Sequence, residues 1–240
     1  MSRLFILSLG GSIVSLKEGL NVDFLKKFKK LIEHRISFGD RFVIVVGGGF
    51  LARNLVAESS KINSKSSDEN KDWIGIAATQ LNAQIVKAVF SDYSYELLSG
   101  DPYKKIITKK SIIFSGGYIP GSSSDLVAVI LAKTYKASEI LNLSNIDYVY
   151  DKDPRFNKDA KKIEKMSWDG FIDIVGHSWS PGLNSPFDPI ASKMCKKEKK
   201  KVVVLNGKNL MNLKKYFSGE KFKGTQIYDW RKKELKKCFY

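Results

Sequence analysis

Three times in this chain an apolar run ends in a cluster of glycines. Leu4–Leu9 leads into Gly10-Gly11-Ser12, Phe42–Val46 into Gly47-Gly48-Gly49, and Ser111–Ser115 into Gly116-Gly117. Glycine lets the backbone approach a bound anion closely and aim its N–H groups at the anion's oxygens. A helix starting directly behind adds partial positive charge. One such loop is as easily a structural turn. Three at the carboxyl ends of strands point to several phosphate groups gathered along one sheet edge. Phosphoryl transfer also needs charge neutralisation more than proton chemistry, so carboxylates at the same edge matter. Asp125 follows the third cluster, and Asp147 and Asp153 flank Tyr150 after a further apolar run, Ile140–Leu143. Asp125 also reads as a helix-start acid, and Asp153-Pro154 as a plain turn.

Other chemistries fit less well. No Gly-x-x-x-x-Gly-Lys-Ser/Thr loop occurs. Gly47–Ala52 matches the loose dinucleotide fingerprint, with Asp68 about 20 residues on as that fingerprint expects. Asp68, however, falls in a polar stretch rather than at a strand end, and a dinucleotide leaves the other two glycine loops idle. The only histidines, His34 and His177, exclude a multi-histidine metal site, and neither accompanies a Gly-x-Ser-x-Gly elbow. Cys195 and Cys238 stand apart and read as reduced bystanders. No metal-ligating residue is assigned. No leader-type or membrane-spanning apolar run is present, so a soluble cytoplasmic protein is expected.

The formal charge is +16, from 41 basic and 25 acidic residues. Residues 193–240 alone hold 16 Lys/Arg and 4 Asp/Glu. Such a field attracts nucleic acid, anionic membrane or phosphorylated small molecules. The lysine run 196–201 lacks the interleaved aromatics that stack on bases. It reads as a solvated basic surface, and neither nucleic acid nor membrane is an expected partner.

Strand-like and helix-like segments alternate throughout, which predicts an α/β fold, a three-layer αβα sandwich around a mainly parallel sheet. Helical spacing runs through Phe24, Leu25, Phe28, Leu31 and Ile32, closed by Gly39. Helices are expected after Gly49 and over Trp73–Phe90, Asp125–Tyr135, Trp168–Val175, Pro189–Lys199 and Leu210–Phe217. Val202–Leu205 and Gln226–Tyr228 read as strands. Polar residues 59–71, charged residues 151–162 and the Pro/Gly/Ser-rich stretch 176–186 read as loops.

In this order the segments resemble the amino-acid-kinase superfamily and, within it, the archaeal-type uridylate (UMP) kinases. The likeness covers roughly residues 3–228. Ile6–Ser12 is similar to the family's first phosphate loop and Val45–Arg53 to its second. Asp72–Ile76 with Leu81-Asn82-Ala83 resembles the helix lining the monophosphate pocket. Gly116–Asp125 resembles the loop around UMP, Ser144–Pro154 the nucleotide-binding segment, and Phe187–Lys193 a motif near the end of the active site. The resemblance implies one domain over 1–228, with an acceptor-binding part to about 135, an ATP-binding part beyond it, and 229–240 as a basic extension. It implies transfer of the γ-phosphoryl group of ATP to UMP in pyrimidine nucleotide biosynthesis, with Mg²⁺, in a homohexamer. Another small-acceptor kinase of the same fold, or a non-catalytic anion-binding relative, is the alternative.

By the same resemblance, Gly10, Gly11, Ser12, Gly49 and Arg53 hold the ATP phosphates. Gly48, Asp72, Tyr118, Ile119, Pro120, Gly121, Ser122, Ser123 and Ser124 hold UMP. Ser144, Asn145, Tyr150 and Asp153 contact the ATP base, ribose or nearby backbone. Arg53 and Lys193 serve as catalytic cations, although Lys193 also reads as a surface lysine. Three positions depart from the pattern. Tyr148 stands where the family usually has glycine, Ser122–Ser124 where related loops carry histidine or threonine, and Ser8 near a lysine that many superfamily kinases place in the first strand.

Overall fold

The computed structural model describes residues 2–98, 100–176, 178 and 185–229. In chain order these form β1 (Leu4–Leu9), α1 (Gly11–Val14), β2 (Ser15–Leu16), β3 (Gly19–Leu20), α2 (Val22–Ser37), β4 (Arg41–Val46), α3 (Gly49–Ile62) and α4 (Asp68–Val89). There follow β5 (Ile112–Ser115), α5 (Ser124–Thr134), β6 (Glu139–Ser144), β7 (Val149–Tyr150), β8 (Lys162–Ile163), β9 (Lys165–Met166), α6 (Trp168–Val175), α7 (Pro189–Lys197), β10 (Lys201–Asn206), α8 (Leu210–Phe217) and β11 (Thr225–Ile227).

In β1 and β4 every residue after the first is buried. Continuous burial of an apolar run marks a strand covered on both faces, the habit of parallel sheets. The central sheet accordingly has seven strands in the order β5-β4-β1-β6-β10-β11-β9, and only the β10–β11 pair is antiparallel. It runs without a break from the N-terminal to the C-terminal half of the chain.

Side chains alternate across it. Phe5, Leu7 and Leu9 of β1 point to the layer of α2, α4 and α8, against Phe28, Val86 and Phe217. Ile6, with Val43 and Val45 of β4, points to the layer of α5, α6 and α7, against Val127, Phe171 and Ala191. This is the expected αβα sandwich. The helix starts are set locally: Asn21, Ser67, Ser123 and Asp188 each accept a hydrogen bond from an amide of the first turn of α2, α4, α5 and α7.

One expectation fails. Residues 59–71 are not a loop, because α3 runs to Ile62 and α4 begins at Asp68, leaving 63–67 as the connection. No residue of α3 is buried, so its helicity leaves no apolar stripe to read. Its last turn is held by polar contacts instead: Ser59 and Ser60 donate to the Val56 carbonyl, and Lys61 pairs with Glu58 at 2.9 Å. Asp68 opens α4 rather than ending a second strand, and pairs with Lys71 at 2.9 Å. The short β2–β3 and β7–β8 hairpins and β9 had no sequence signal. Most of the loop expected over 176–186, and all of the C-terminal extension beyond Asp229, lie outside the described residues.

Candidate active site

The first two glycine clusters meet backbone to backbone. A Cβ on Gly11 would collide with the Gly47 carbonyl and the Gly49 amide, and one on Gly49 with Gly11 and Ser12. Gly49 also has φ +60°, which disfavours any side chain there. The Gly47 amide donates to Leu9 at the end of β1, and the Gly10 amide to Leu143 at the end of β6, both at 2.9 Å. The first cluster therefore sits between the β4 edge and the β6 edge, one residue from Ser144. In α3 the first backbone bond is Ala52 to Gly48 at 3.2 Å. The amides of Gly49, Phe50 and Leu51 thus precede the helical ladder and remain available to an anion.

Helix α4 fixes the other parts of this edge. The buried Asn82 side chain donates to the carbonyls of Gly47 at 3.0 Å and Gly48 at 3.1 Å, and accepts from Ser15 at 3.0 Å. Thr79 accepts from the Gly117 amide at 2.6 Å, while a Cβ on Gly116 would stand 2.9 Å from the Gln80 amide. One helix thereby positions the second and third glycine clusters. Asn82→Ala is expected to cost about 2–3 kcal/mol, since it strands two loop carbonyls and a buried hydroxyl. Chemical denaturation at constant m-value checks this.

The result is a cleft of about 410 Å³ walled by Gly48, Gly49 and Arg53, by Asp72 and Thr79 of α4, and by Ser122–Asp125. Asp72 accepts from the Gly121 amide at 2.8 Å, pinning the loop 118–122 across α4. Ser123 caps α5 through the Leu126 amide at 3.1 Å. Tyr118 is half-buried against the core, and Ile119 is exposed on the loop.

At the cleft floor stand two carboxylates. Ser8 donates to Asp125 at 2.8 Å, and the Asp188 amide donates to its other oxygen at 3.1 Å. Asp188 caps α7 through Ala191 at 2.6 Å, and its Oδ2 is buried without a hydrogen-bond partner among the described residues. Burial pushes the Asp125 carboxyl up to about 6; the Ser8 bond opposes this and the neighbouring Asp188 charge adds to it. The Asp188 carboxyl is raised too, chiefly by burial, with the amides of the first turn of α7 opposing. Two buried carboxylates this close disfavour each other's ionised form.

The cleft brings together Gly48, Gly49, Arg53, Asp72, Ser122, Ser123 and Ser124, with Gly10, Gly11 and Ser12 abutting through the Gly11–Gly49 contact. Ser144 ends β6 beside Gly10, and its carbonyl accepts from Gly207 at 2.8 Å. Asn145 and Tyr150 follow outside this cleft. Asp153 is partly exposed and held by Arg155, whose side chain lies 3.1 Å from both carboxylate oxygens and keeps the group below the usual carboxylate range. Lys193 is exposed on α7 and is not among the lining residues. Tyr148 does not turn into this cleft either: its ring lies under Lys162, 4.9 Å from the ammonium. Thr79, Asn82, Asp125 and Asp188 carry the site's architecture without having been assigned site roles from sequence. In the sequence Asp125 stands out as the carboxylate behind the third glycine cluster, and Asn82 and Asp188 fall in segments that carry the resemblance; Thr79 has no signal beyond being a polar residue inside α4.

The amino acid kinase family model matches residues 3–206. The chain is 34% identical over 205 residues to the uridylate kinase of Methanococcus vannielii, covering 84% of this chain and 90% of that protein. It is 32% identical over 225 residues to the uridylate kinase of Pyrococcus abyssi, covering 92% and 98%. Among solved structures, the uridylate kinase from Archaeoglobus fulgidus superposes with a TM-score of 0.76 at 31% identity, over 95% of this chain and 100% of that one. The aspartate kinase from Synechocystis shares the fold alone, with a TM-score of 0.72 at 17% identity, over 95% of this chain and 40% of that one. With the family model matching most of the chain and relatives above 30% identity covered over 90% or more of their own length, the protein belongs to the amino acid kinase family and, within it, to the archaeal-type uridylate kinases.

Proposed function

We propose that the protein transfers the γ-phosphoryl group of ATP to the phosphate of UMP, giving ADP and UDP. The observation that carries this reading is the backbone contact of Gly11 with Gly49. It sets two amide-rich loops side by side, between a cleft sized for a nucleoside monophosphate and the β6 edge where Ser144 and Asn145 begin the donor segment. The similarity to uridylate kinases selects UMP as the acceptor.

The acceptor phosphate is already ionised near neutral pH, so no strong base is needed. Catalysis consists of aligning two anions and offsetting their repulsion. The amides of Gly11, Ser12 and Gly49 receive the donor phosphates, with Arg53 in the cleft wall as the cation and Lys193, exposed on α7 outside the cleft, as a second cation by resemblance. Asp72 and the loop from Tyr118 to Ser124 hold the nucleoside of UMP. Mg²⁺ suits the paired oxygens of Asp125 and Asp188, hard ligands of which one is buried and unpartnered; bound with ATP, it supplies charge neutralisation of the polyphosphate. The acceptor part to about residue 135 and the donor part beyond it form one domain through the shared sheet.

Assembly into a homo-oligomer, a hexamer by resemblance, is supported by α3, which buries no residue and leaves Leu55 and Ile62 exposed. A cytoplasmic setting agrees with the absence, among the described residues, of any helix long and apolar enough to cross a membrane.

Saturating UMP is expected to raise the melting temperature. A ligand at 100 times its Kd adds about 2.7 kcal/mol, or roughly 5–10 °C for a chain of this size. Differential scanning fluorimetry with UMP, and with AMP as comparison, tests this. A shift with UMP that Asp72→Ala removes supports the reading, and no shift with any pyrimidine monophosphate contradicts it.

A further inference from the structure

Helix α4 runs along the candidate active-site cleft. Its Asn82 and Thr79 hold the second and third glycine clusters at one end. Lys71 lies in the first turn of the same helix, about 16 Å back from Asn82 at 1.5 Å per residue. It lines the other end of the cleft, next to Asp72, which pins the loop there through the Gly121 amide at 2.8 Å. Among the described residues that line the cleft, only Arg53 and Lys71 are basic. Val56, Ala57, Gly75 and Ile76 line it as well and offer no side-chain hydrogen bond. A mononucleotide whose phosphate sits on the glycine amides beside Arg53 therefore turns its base toward Lys71.

Lys71 is held against the protein rather than spread into solvent. Its side chain is 26% exposed, whereas those of Lys61, Lys133 and Lys162, in ion pairs of similar length, are 71%, 52% and 54% exposed. It pairs with Asp68 at 2.9 Å, but the Asp68 side chain is 77% exposed. An ion pair so open to water contributes little. The ammonium, on its flexible stem, can leave Asp68 for a ligand oxygen at small cost. An ammonium donates hydrogen bonds and accepts none. Uracil presents a carbonyl oxygen on either side of its ring N–H, and cytosine carries an amino group, itself a donor, in place of one of them. A donor-only side chain at the base end of the cleft pairs with uracil and meets cytosine donor to donor.

We propose that Lys71 is a specificity-determining residue of the acceptor site, its ammonium donating to the uracil carbonyl that cytosine replaces with an amino group. This rests on the UMP reading above. The test is steady-state kinetics of the full chain with UMP and with CMP, for the wild type, Lys71→Met, Lys71→Arg and Asp68→Asn. In Lys71→Met the KM for UMP is expected to rise about tenfold, with kcat and the KM for ATP within about twofold of wild type. The preference for UMP over CMP should narrow by a similar factor, because both nucleotides carry the same phosphate and only the base differs. Lys71→Arg keeps a donor and should recover part of the preference. Asp68→Asn breaks the ion pair but keeps the ammonium, and should leave the KM for UMP unchanged. The melting temperature of Lys71→Met should stay within about 2 °C of wild type, which separates lost recognition from lost folding. An unchanged KM for UMP in Lys71→Met overturns the proposal. So does equal weakening of UMP and CMP, which would make Lys71 a general attractor of the phosphate, and so does the same loss in Asp68→Asn, which would make the pair a brace for the start of α4. In all three cases the wild type still turns over UMP; a wild type silent on UMP overturns the acceptor reading and this proposal with it.

Discussion

Replacing Arg53 with alanine is expected to lower kcat/KM by about 10²–10³-fold, the range seen when one preorganised charge is removed from a phosphoryl-transfer site. Arg53 lies one turn into α3, beside Gly49, in the wall of the cleft. It is the one arginine among that cleft's lining residues, and on the proposed function it faces the place where the two substrates' phosphates meet. The fold should not notice the change. The residue is exposed, α3 buries nothing, and alanine is the best helix former, so stability should move by no more than about 0.5 kcal/mol. Lysine at the position should recover only part of the rate, because a single ammonium does not reproduce the guanidinium's paired donors. Steady-state kinetics with both substrates varied, together with a melting curve, decide the matter. Unchanged kinetics would remove Arg53 from the site.

The second large effect concerns Asp125. In the folded protein its carboxyl titrates near pH 6, against an ordinary value of 3.8. Between those values the folded state binds more protons at this group than the unfolded state does. Stability from this group is therefore present below about pH 4 and is lost as pH rises through 6. At pH 7.5 the ionised carboxylate costs up to about 3 kcal/mol. Asn at this position accepts the Ser8 hydroxyl but cannot accept the Asp188 amide, so it recovers only part of that. The expected observation, in the absence of nucleotide and metal, is a melting temperature for Asp125→Asn that gains on the wild type by several degrees between pH 5 and pH 7.5. Activity should move the other way, falling about 10²-fold, because the charge is retained at a cost where it meets the cation-bearing polyphosphate. A pH-independent difference combined with retained activity would show that Asp125 is not ionised in the working protein.

The sheet and the glycine loops were legible because they depend on short segments. Five buried residues in a row announce β1 and β4, and the glycines follow at once. What binds the loops together was not legible. Asn82 meets Gly47 and Gly48 across 35 and 34 residues, and Thr79 meets Gly117 across 38. Asp125 and Asp188 meet across 63. No local pattern encodes such pairs, and a polar residue inside a helix reads as surface until its partner is known. The helical end of α3 was missed for the opposite reason, since an exposed helix has no apolar period to detect. Tyr148 shows how a motif position is read through its neighbours: close to Tyr150 and Asp153 in sequence, it turns in the fold to Lys162, 4.9 Å from the ammonium. Of the residues assigned to the acceptor, Gly48, Asp72 and Ser122–Ser124 line one cleft, whereas Tyr118–Gly121 are not among its lining residues, and Asn145, Tyr150, Asp153 and Lys193 stay outside it too.

The most direct test of the central claim is ADP release, measured with ATP and Mg²⁺ against UMP, CMP, dUMP, carbamate, acetylglutamate, aspartate and isopentenyl phosphate in turn. The account predicts strong turnover with UMP, with UDP as the second product in equal amount. Turnover on another acceptor with silence on UMP would contradict the assigned substrate while keeping the fold, and silence on all of them would contradict the assignment of phosphoryl transfer itself.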